Sequence, residues 1–171
     1  MNNYPLIIIG LLLTSTTSFA LEKANVQQID DVHQRTQQVL PFDMNQTLQT
    51  FSKTVHGGVQ HVVVKPAANI REIKRIQAYL LKLANDFRKG DFSDTERIHG
   101  ANMPGLAQLK AAKTDDIKFE YSALEKGGQI HLTTEYPLLV QALHEWFDAQ
   151  ANEHGNDAIQ EHIQHHTTPA E

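Results

Sequence analysis

An internal repeat constrains the fold of this chain more than any other feature of its sequence. When the 171 residues are slid against themselves by about 70 positions, Gly57-Gly58 falls on Gly127-Gly128. Four further positions match in residue type at this offset: Phe51 with Tyr121, Ser52 with Ser122, His61 with His131, and Ile73 with Leu143. Pro66 lies one residue out of step from Pro137. Each copy therefore reads as strand, Gly-Gly turn, strand, proline and helix.

Alternating apolar and polar residues on both sides of each Gly-Gly pair predict two β-hairpins. We expect two-residue turns at His56-Gly57 and at Lys126-Gly127, where glycine supplies a positive φ. Because side chains alternate across a strand, the position of each turn decides which residues face each other. The predicted cross-strand pairs are Phe51 with Val62 and Ser52 with His61 in the first hairpin, and Tyr121 with Leu132 and Ser122 with His131 in the second.

The repeats predict an α+β fold, in which two strand-strand-helix units form a four-stranded, mainly antiparallel sheet with two long helices on one face. The first helix should begin at an Asn69 cap and end at Gly90, and the second should run from Leu138 to Asn152. The predicted parts of the chain are a signal peptide at 1–20, an N-terminal arm or short helix at 21–45, a single domain at 46–155 (repeats 46–90 and 116–155, insertion 91–115) and a His-rich, helix-compatible tail at 156–171.

Residues 1–20 have the pattern of a secretory signal. The apolar run from Leu6 to Leu13 is too short to span a bilayer, and Ser18-Phe19-Ala20 is a small-x-small cleavage pattern. An uncleaved anchor is the alternative. The expected mature protein is periplasmic or secreted, is free of the membrane after signal removal, and has no cysteine for disulfides or thiolate metal sites. A net charge of -5 with scattered basic residues argues against nucleic-acid binding.

Five strings, GGVQHVVVK, GDFS, IHGANMPGL, GGQIHLTT and ALHEWFDAQANEHG, together resemble a family of small exported bacterial proteins of unestablished function. The resemblance runs from Phe42 to Ala158, although this chain has Tyr136 where relatives have Asp, and Glu153-His154-Gly155 in place of Asp-His-Gly. Such proteins are sometimes labelled aspartate carbamoyltransferase. This sequence does not support that label, because the chain is too short for two such domains and has no Ser-Thr-Arg-Thr phosphate loop.

Ten histidines in a chain of this length suggest a transition-metal site. The candidate ligands are His99 and Met103 from the insertion, with His144, Asp148 and His154 from the last helix. Imidazole suits copper and zinc, and a thioether selects copper, so we expect copper before zinc. His144 and His154 lie about 15 Å apart along a helix, so both can bind one ion only if the helix ends early. Alternatively, these residues are structural: His99 braces a loop, Met103 fills the core and His144 bonds a backbone carbonyl.

The tail offers a second, weaker metal site. His162 and His166 lie at i and i+4, and so do Glu161 and His165. This spacing brings side chains together on a helix, where imidazoles can chelate zinc, nickel or copper. The alternative is an incidental polar tail.

The sheet face away from the helices is expected to carry Ser52 with His61, and Ser122 with His131. A serine beside a histidine is the arrangement of a nucleophile and its base. No third catalytic residue or oxyanion donor can be assigned, so contact with a protein partner or a second copy of the chain is the favoured interpretation.

These features predict an exported, non-catalytic binding protein, with copper or zinc as the specific ligand. The alternative is a structural or interaction module that forms a homodimer through its open sheet face. A hydrolase of unknown substrate ranks third, because no phosphate-binding loop or zinc-protease motif is present.

Overall fold

The computed structural model describes residues 23–65, 70–154 and 158–162, the last of these as backbone only. The helices are α1 (Val26–Val39), α2 (Ile70–Arg88), α3 (Ser93–His99), α4 (Leu106–Ala111) and α5 (Pro137–Glu153), with a 3₁₀ turn at Met44–Gln46. The strands are β1 (Thr47–Thr54), β2 (Gly57–Val64), β3 (Lys118–Leu124), β4 (Gly127–Thr133) and β5 (Ala158–His162). The predicted signal peptide, 1–20, and the predicted Asn69 cap lie outside the described residues.

The α+β fold predicted from the sequence is confirmed. Four antiparallel strands lie in the order β3-β4-β2-β1, with helices packed on the sheet. A fifth strand, β5, joins the β1 edge in parallel. The helical prediction for this part of the tail is therefore wrong, because the segment pairs with the β1 edge, whose backbone N–H and C=O groups would otherwise be left without strand partners.

The two hairpins meet through β2 and β4, and this pairing is symmetric about the repeat. Gln60 pairs with Ile130, its equivalent in the second copy. On either side, Gly57 pairs with Thr133 and Val63 with Gly127. Because equivalent residues face each other on antiparallel strands, the two copies are related by a pseudo-two-fold axis at the Gln60–Ile130 pair.

Each long helix packs mainly on the hairpin of the other repeat. α2, which follows the first hairpin, contacts β3 and β4, whereas α5, which follows the second hairpin, contacts β1 and β2. Buried residues recur at helical spacing on both helices and form the stripes that face the sheet. In α2 they are Glu72, Ile76, Tyr79, Leu80, Leu83, Ala84 and Phe87, and in α5 they are Ala142, Leu143, Trp146, Phe147, Ala149 and Gln150. A single core results.

The predicted registers of both hairpins are wrong by two residues in the same direction. The turns are Val55-His56 and Glu125-Lys126, one residue earlier than expected. The observed pairs are Phe51 with Gln60 and Ser52 with Val59 in the first hairpin, and Tyr121 with Ile130 and Ser122 with Gln129 in the second. Since a shift of two residues keeps every side chain on its face, the predicted core positions are nevertheless buried: Phe51, Val62 and Val64.

The Gly-Gly pairs explain this error, because they lie in the strands where these pack closely and not in the two-residue turns, although Gly57 has the expected positive φ, of 142°. A Cβ added at Gly57 would lie 2.1 Å from the carbonyl oxygen of Leu132, and one at Gly127 would lie 2.0 Å from that of Val62. A Cβ at Gly58 would lie 2.2 Å from the Phe147 ring on α5. Glycine is therefore required where the hairpins and helices approach each other most closely.

The segments outside the repeats cover one end of the core. α1 begins with a capping box between Asn25 and Gln28, and packs against α3 and α5. The Arg35 side chain of α1 donates a hydrogen bond of 2.5 Å to the carbonyl of Ile98 at the end of α3. The insertion contains the two short helices α3 and α4, and Gly100 ends the first of them. α1, α3 and the end of α5 therefore meet at one corner of the molecule.

Candidate ligand site at the end of the last helix

Helices α1, α3 and α5 bring three histidines and one glutamate together at this corner. We call this group, His33, His99, Glu153 and His154, the histidine corner. His99 is the last residue of α3, because Gly100 with φ of 90° ends that helix. His154 follows α5, and its backbone N–H still donates to the carbonyl of Gln150. The rings of His99 and His154 pack edge to face, with centroids 5.0 Å apart. Residues more than fifty positions apart thus share one site.

A carboxylate orients His99. Its Nδ1 donates a 2.7 Å hydrogen bond to a carboxylate oxygen of Glu153, the residue next to His154. This bond selects the ring tautomer and leaves the lone pair of the neutral imidazole on Nε2. A carboxylate that holds the second nitrogen of an imidazole is the usual outer partner of a metal-ligating histidine. His99 is therefore oriented as a metal-ligating histidine is.

His154 is buried and uncharged. The residue is 3% exposed, and its side-chain Nδ1 has no hydrogen-bond partner among the described atoms. Burial, with smaller contributions from the neighbouring His99 and His33, lowers the pKa of His154 to about 3. His33 contacts the same residue, donating from Nε2 to the His154 carbonyl over 3.4 Å. At neutral pH the His154 ring is therefore uncharged, with one N–H and one nitrogen whose lone pair is available to a metal ion.

A surface cleft of about 300 Å³ gives access to the histidine corner. It lies between α1 and the end of α5, and both His99 and Glu153 line it. Asp31 adds a second carboxylate, and Arg35 a positive charge, to the same wall. A cleft of this size accommodates a small ligand, and its two carboxylates favour a cation.

The other predicted metal ligands do not reach this corner. His144 Nε2 lies 2.9 Å from the carbonyl oxygen of Thr54 and 3.0 Å from that of Gly57, so it donates to the first hairpin turn. Asp148 forms an ion pair of 2.6 Å with Lys53, and Met103 is buried in the core. Of the five predicted ligands, only His99 and His154 are brought together. Within residues 23–65 and 70–154, no group of three or more His, Asp or Glu side chains is arranged to hold a metal ion.

The structure gives no side-chain positions for the tail histidines. His162 is the last residue of β5, where the backbone alone is described. His165 and His166 lie outside the described residues. Glu161 and His162 lie in a strand, so they are not on a helix with His165 and His166. The i, i+4 argument for a tail metal site therefore does not hold for these two residues.

The outer sheet face does not contain the predicted serine-histidine pairs. In the observed register Thr50 faces His61, and Glu120 faces His131. Ser52 is buried opposite Val59, and Ser122 is exposed opposite Gln129. His61 instead contacts Gln129 at 2.8 Å, and the Gln129 amide contacts His131 at 3.1 Å. This chain of three side chains crosses from β2 to β4 and has no nucleophile in it.

Sequence reasoning found His99 and His154 but missed His33, Glu153 and Asp31. The position of Glu153 beside His154 was a local signal, since a carboxylate next to a candidate ligand is a possible outer partner. His33 and Asp31 carried no such signal. They belong to α1, and only the packing of α1 on α3 and α5 places them here.

Comparison with protein-family models, with curated proteins and with solved structures finds no match for this chain. The resemblance to small exported bacterial proteins stays a prediction from the sequence strings. Of the helices in the described part of the chain, none combines the length and apolar character needed to cross a membrane.

Proposed function

We propose that this protein is an exported, non-catalytic binding protein that takes up one transition-metal ion, copper before zinc, at the histidine corner. The observation that carries the proposal is the Glu153–His99–His154 arrangement, in which a carboxylate orients one buried imidazole beside a second. Export is supported by the apolar run and cleavage pattern within residues 1–20.

The chemistry of the two rings supports a borderline or soft metal. Neutral imidazole nitrogens suit copper and zinc, and do not suit magnesium or calcium, which take oxygen ligands. Met103 lies in the core, so its thioether no longer argues for copper. The order copper before zinc now depends on the higher intrinsic affinity of nitrogen sites for divalent copper.

The cleft beside α1 supports uptake from solvent. His99 and Glu153 line it, and the Glu153 carboxylate that holds the buried His99 ring is itself part exposed there. Asp31 on the opposite helix attracts a cation by long-range electrostatics. The His154 ring, whose centroid is 5.0 Å from that of His99, would complete a two-imidazole set.

Titration of the purified full-length chain with copper(I), copper(II) and zinc(II) tests this proposal. The tail substitutions His162→Gln, His165→Gln and His166→Gln are present in every sample, so that tail binding does not contribute. We expect one equivalent, lost in His99→Gln and retained in His56→Gln, an exposed turn residue that serves as the matched control. Equal binding by both variants, or no binding above that of the unfolded chain, would contradict the proposal.

The second candidate function is an interaction module that dimerises through the outer sheet face. It is favoured by the His61–Gln129–His131 chain, a half-buried polar band on the face opposite α2 and α5. Here the mass in solution should rise with protein concentration and fall on His131→Ala. A monomer mass at every concentration would remove this candidate. Hydrolysis is not proposed, because the serine-histidine pairs that suggested it are not formed.

A further inference from the structure

Between the helices and the sheet lies a small cavity of about 40 Å³, which shares the lining residue His99 with the surface cleft. Three residues that line it contain a buried side-chain atom with no hydrogen-bond partner in the described part of the molecule: Gln60 Oε1, Trp146 Nε1 and His154 Nδ1. The three residues are 7%, 1% and 3% exposed. Buried polar atoms are nearly always paired in folded proteins, so three orphans around one cavity indicate a shared partner.

The internal repeat provides a comparison for these residues. At the repeat offset, Gln60 corresponds to Ile130, Trp146 to Ile76 and His154 to Ala84. All three counterparts are apolar and fully buried. The fold therefore does not need polar groups at these positions, since the other half of the same core is built without them. The polar residues belong to this half alone.

We propose that the cavity is a binding site for a small uncharged molecule that both donates and accepts hydrogen bonds. The indole N–H of Trp146 can only donate, the Gln60 oxygen can only accept, and a neutral His154 nitrogen can do either. None of the described lining residues is Asp, Glu, Lys or Arg, so the site offers no counter-ion to a charged ligand. The space holds about three water molecules or one solute of similar size, such as formamide.

This inference does not depend on a metal at the histidine corner. His99 and His154 line the cavity as well as forming the proposed metal site, so the test uses metal-free protein and varies Gln60, which takes no part in metal binding. Loss of metal binding in His99→Gln and loss of the cavity ligand in a Gln60 variant are therefore separate results.

The test is the thermal unfolding of the full-length chain with Gln60→Met, which removes the orphan oxygen and keeps the length of the side chain. If a bound molecule pairs with that oxygen, Tm falls by about 3 °C or more, because a hydrogen bond to the ligand is lost. The Tm of Gln60→Ile, which places the Ile130 side chain type at this position, should fall as well. The control is Gln141→Met on the exposed face of α5, where we expect little change. If the cavity is dry, both Gln60 variants keep or raise Tm, and this result would overturn the proposal.

Formamide at millimolar concentration separates the two sources of the ligand. A rise in Tm of the wild type that is absent in Gln60→Met identifies a site that accepts solutes of this class. No rise, together with a destabilised Gln60→Met, identifies water as the occupant. Either result supports a polar ligand in the cavity.

Discussion

The two halves of the core, α2 on β3 and β4 and α5 on β1 and β2, are equivalent by the repeat but are filled differently. In the first half, which we call the apolar half, Ile76, Ala84 and Ile130 occupy repeat-equivalent positions and are fully buried. In the second half, equivalent positions hold Trp146, His154 and Gln60, whose unpaired polar atoms belong to residues that line the cavity between α2 and α5. The comparison shows that one duplicated scaffold can be fully satisfied in one half and keep unpaired polar groups in the other.

The histidine corner is at the end of the polar half. His154 belongs both to the cavity wall and to the contact with His99, and α1 and α3 add their residues on the same side. The equivalent end of α2 carries Phe87, which stacks on Phe92 with centroids 4.7 Å apart. The end of α2 is therefore apolar and the end of α5 is polar, which is the same difference as between the two halves of the core. We infer that ligand binding belongs to the α5 half.

The largest effect is expected when the apolar half is given the polar residue of the other. Ile130→Gln should destabilise the protein by about 4 kcal/mol, because it removes buried apolar surface and buries an amide without a partner. Chemical denaturation of the variant and the wild type measures this difference. If Ile130→Gln lowers the free energy of unfolding by less than about 1 kcal/mol, the apolar half accepts a buried amide as readily as the other half does. This result would contradict the proposed difference between the halves.

The glycines should also distinguish the halves. A Cβ at Gly58 would lie 2.2 Å from the Phe147 ring and 2.7 Å from the Ser52 carbonyl. One at Gly128 would be closest to the side chains of Leu80 and Tyr121, at 3.1 and 3.2 Å, and would lie at an ordinary contact distance of 3.5 Å from the Ser122 carbonyl. We expect Gly58→Ala to cost about 3 kcal/mol and Gly128→Ala about 1 kcal/mol, because flexible side chains relax more readily than backbone. The two urea midpoints, compared at equal slope, provide the measurement. Equal costs would show that α5 is as free to move as Leu80.

The buried histidine should make the polar half sensitive to acid. Unfolded His154 takes up a proton below its ordinary pKa of 6.5, while the folded residue stays neutral down to about 3. The unfolded state then binds more protons in this range, so stability is lost as pH falls from 6.5 towards 3. Between pH 7 and pH 5 the loss attributable to His154 is about 2 kcal/mol.

His154→Ala, which copies Ala84 of the apolar half, isolates that contribution. The stability of the metal-free variant should fall less steeply between pH 7 and pH 5 than that of the wild type, and His56→Gln should follow the wild type. Parallel curves for wild type and His154→Ala would show that the His154 ring reaches solvent in the folded state.

The smallest effect is expected at the ion pair that links α5 to β1. Lys53 and Asp148 are 20% and 34% exposed at the side chain, so water screens their attraction. Asp148→Asn should cost less than about 1 kcal/mol and should not alter metal binding. A loss of metal affinity in this variant would return Asp148 to the ligand set and move the site away from the histidine corner.

Local patterns in the sequence predicted the elements and their faces. Alternation identified the buried side of each hairpin, and the helical spacing of Ile76, Leu80 and Leu83 identified the stripe of α2 that faces the sheet. The registers failed because a glycine before a strand has two explanations, a turn with positive φ or close approach to another strand. Only the tertiary structure distinguishes them, since the atoms that exclude a Cβ at Gly57 and Gly127 come from distant residues.

The candidate site was only half predictable for the same reason. His99 and His154 could be chosen by residue type, but His144 and Asp148 could not be rejected before their partners, the first hairpin turn and Lys53, were placed. The role of His33 depends on how α1 packs, and the pairing of β5 with β1 depends on an edge that no local pattern reveals.

The most direct measurement of the central claim is the ¹H–¹⁵N spectrum of the histidine rings during titration with zinc(II) or copper(I), in the full-length chain with the three tail substitutions. The proposal predicts that the ring-nitrogen resonances of His99 and His154 shift together and that the change is complete at one equivalent of metal. The His144 resonances should not shift, because its Nε2 proton stays bonded to the first hairpin turn. Shifts confined to other histidines, or no shift at one equivalent, would contradict a metal site in the α5 half.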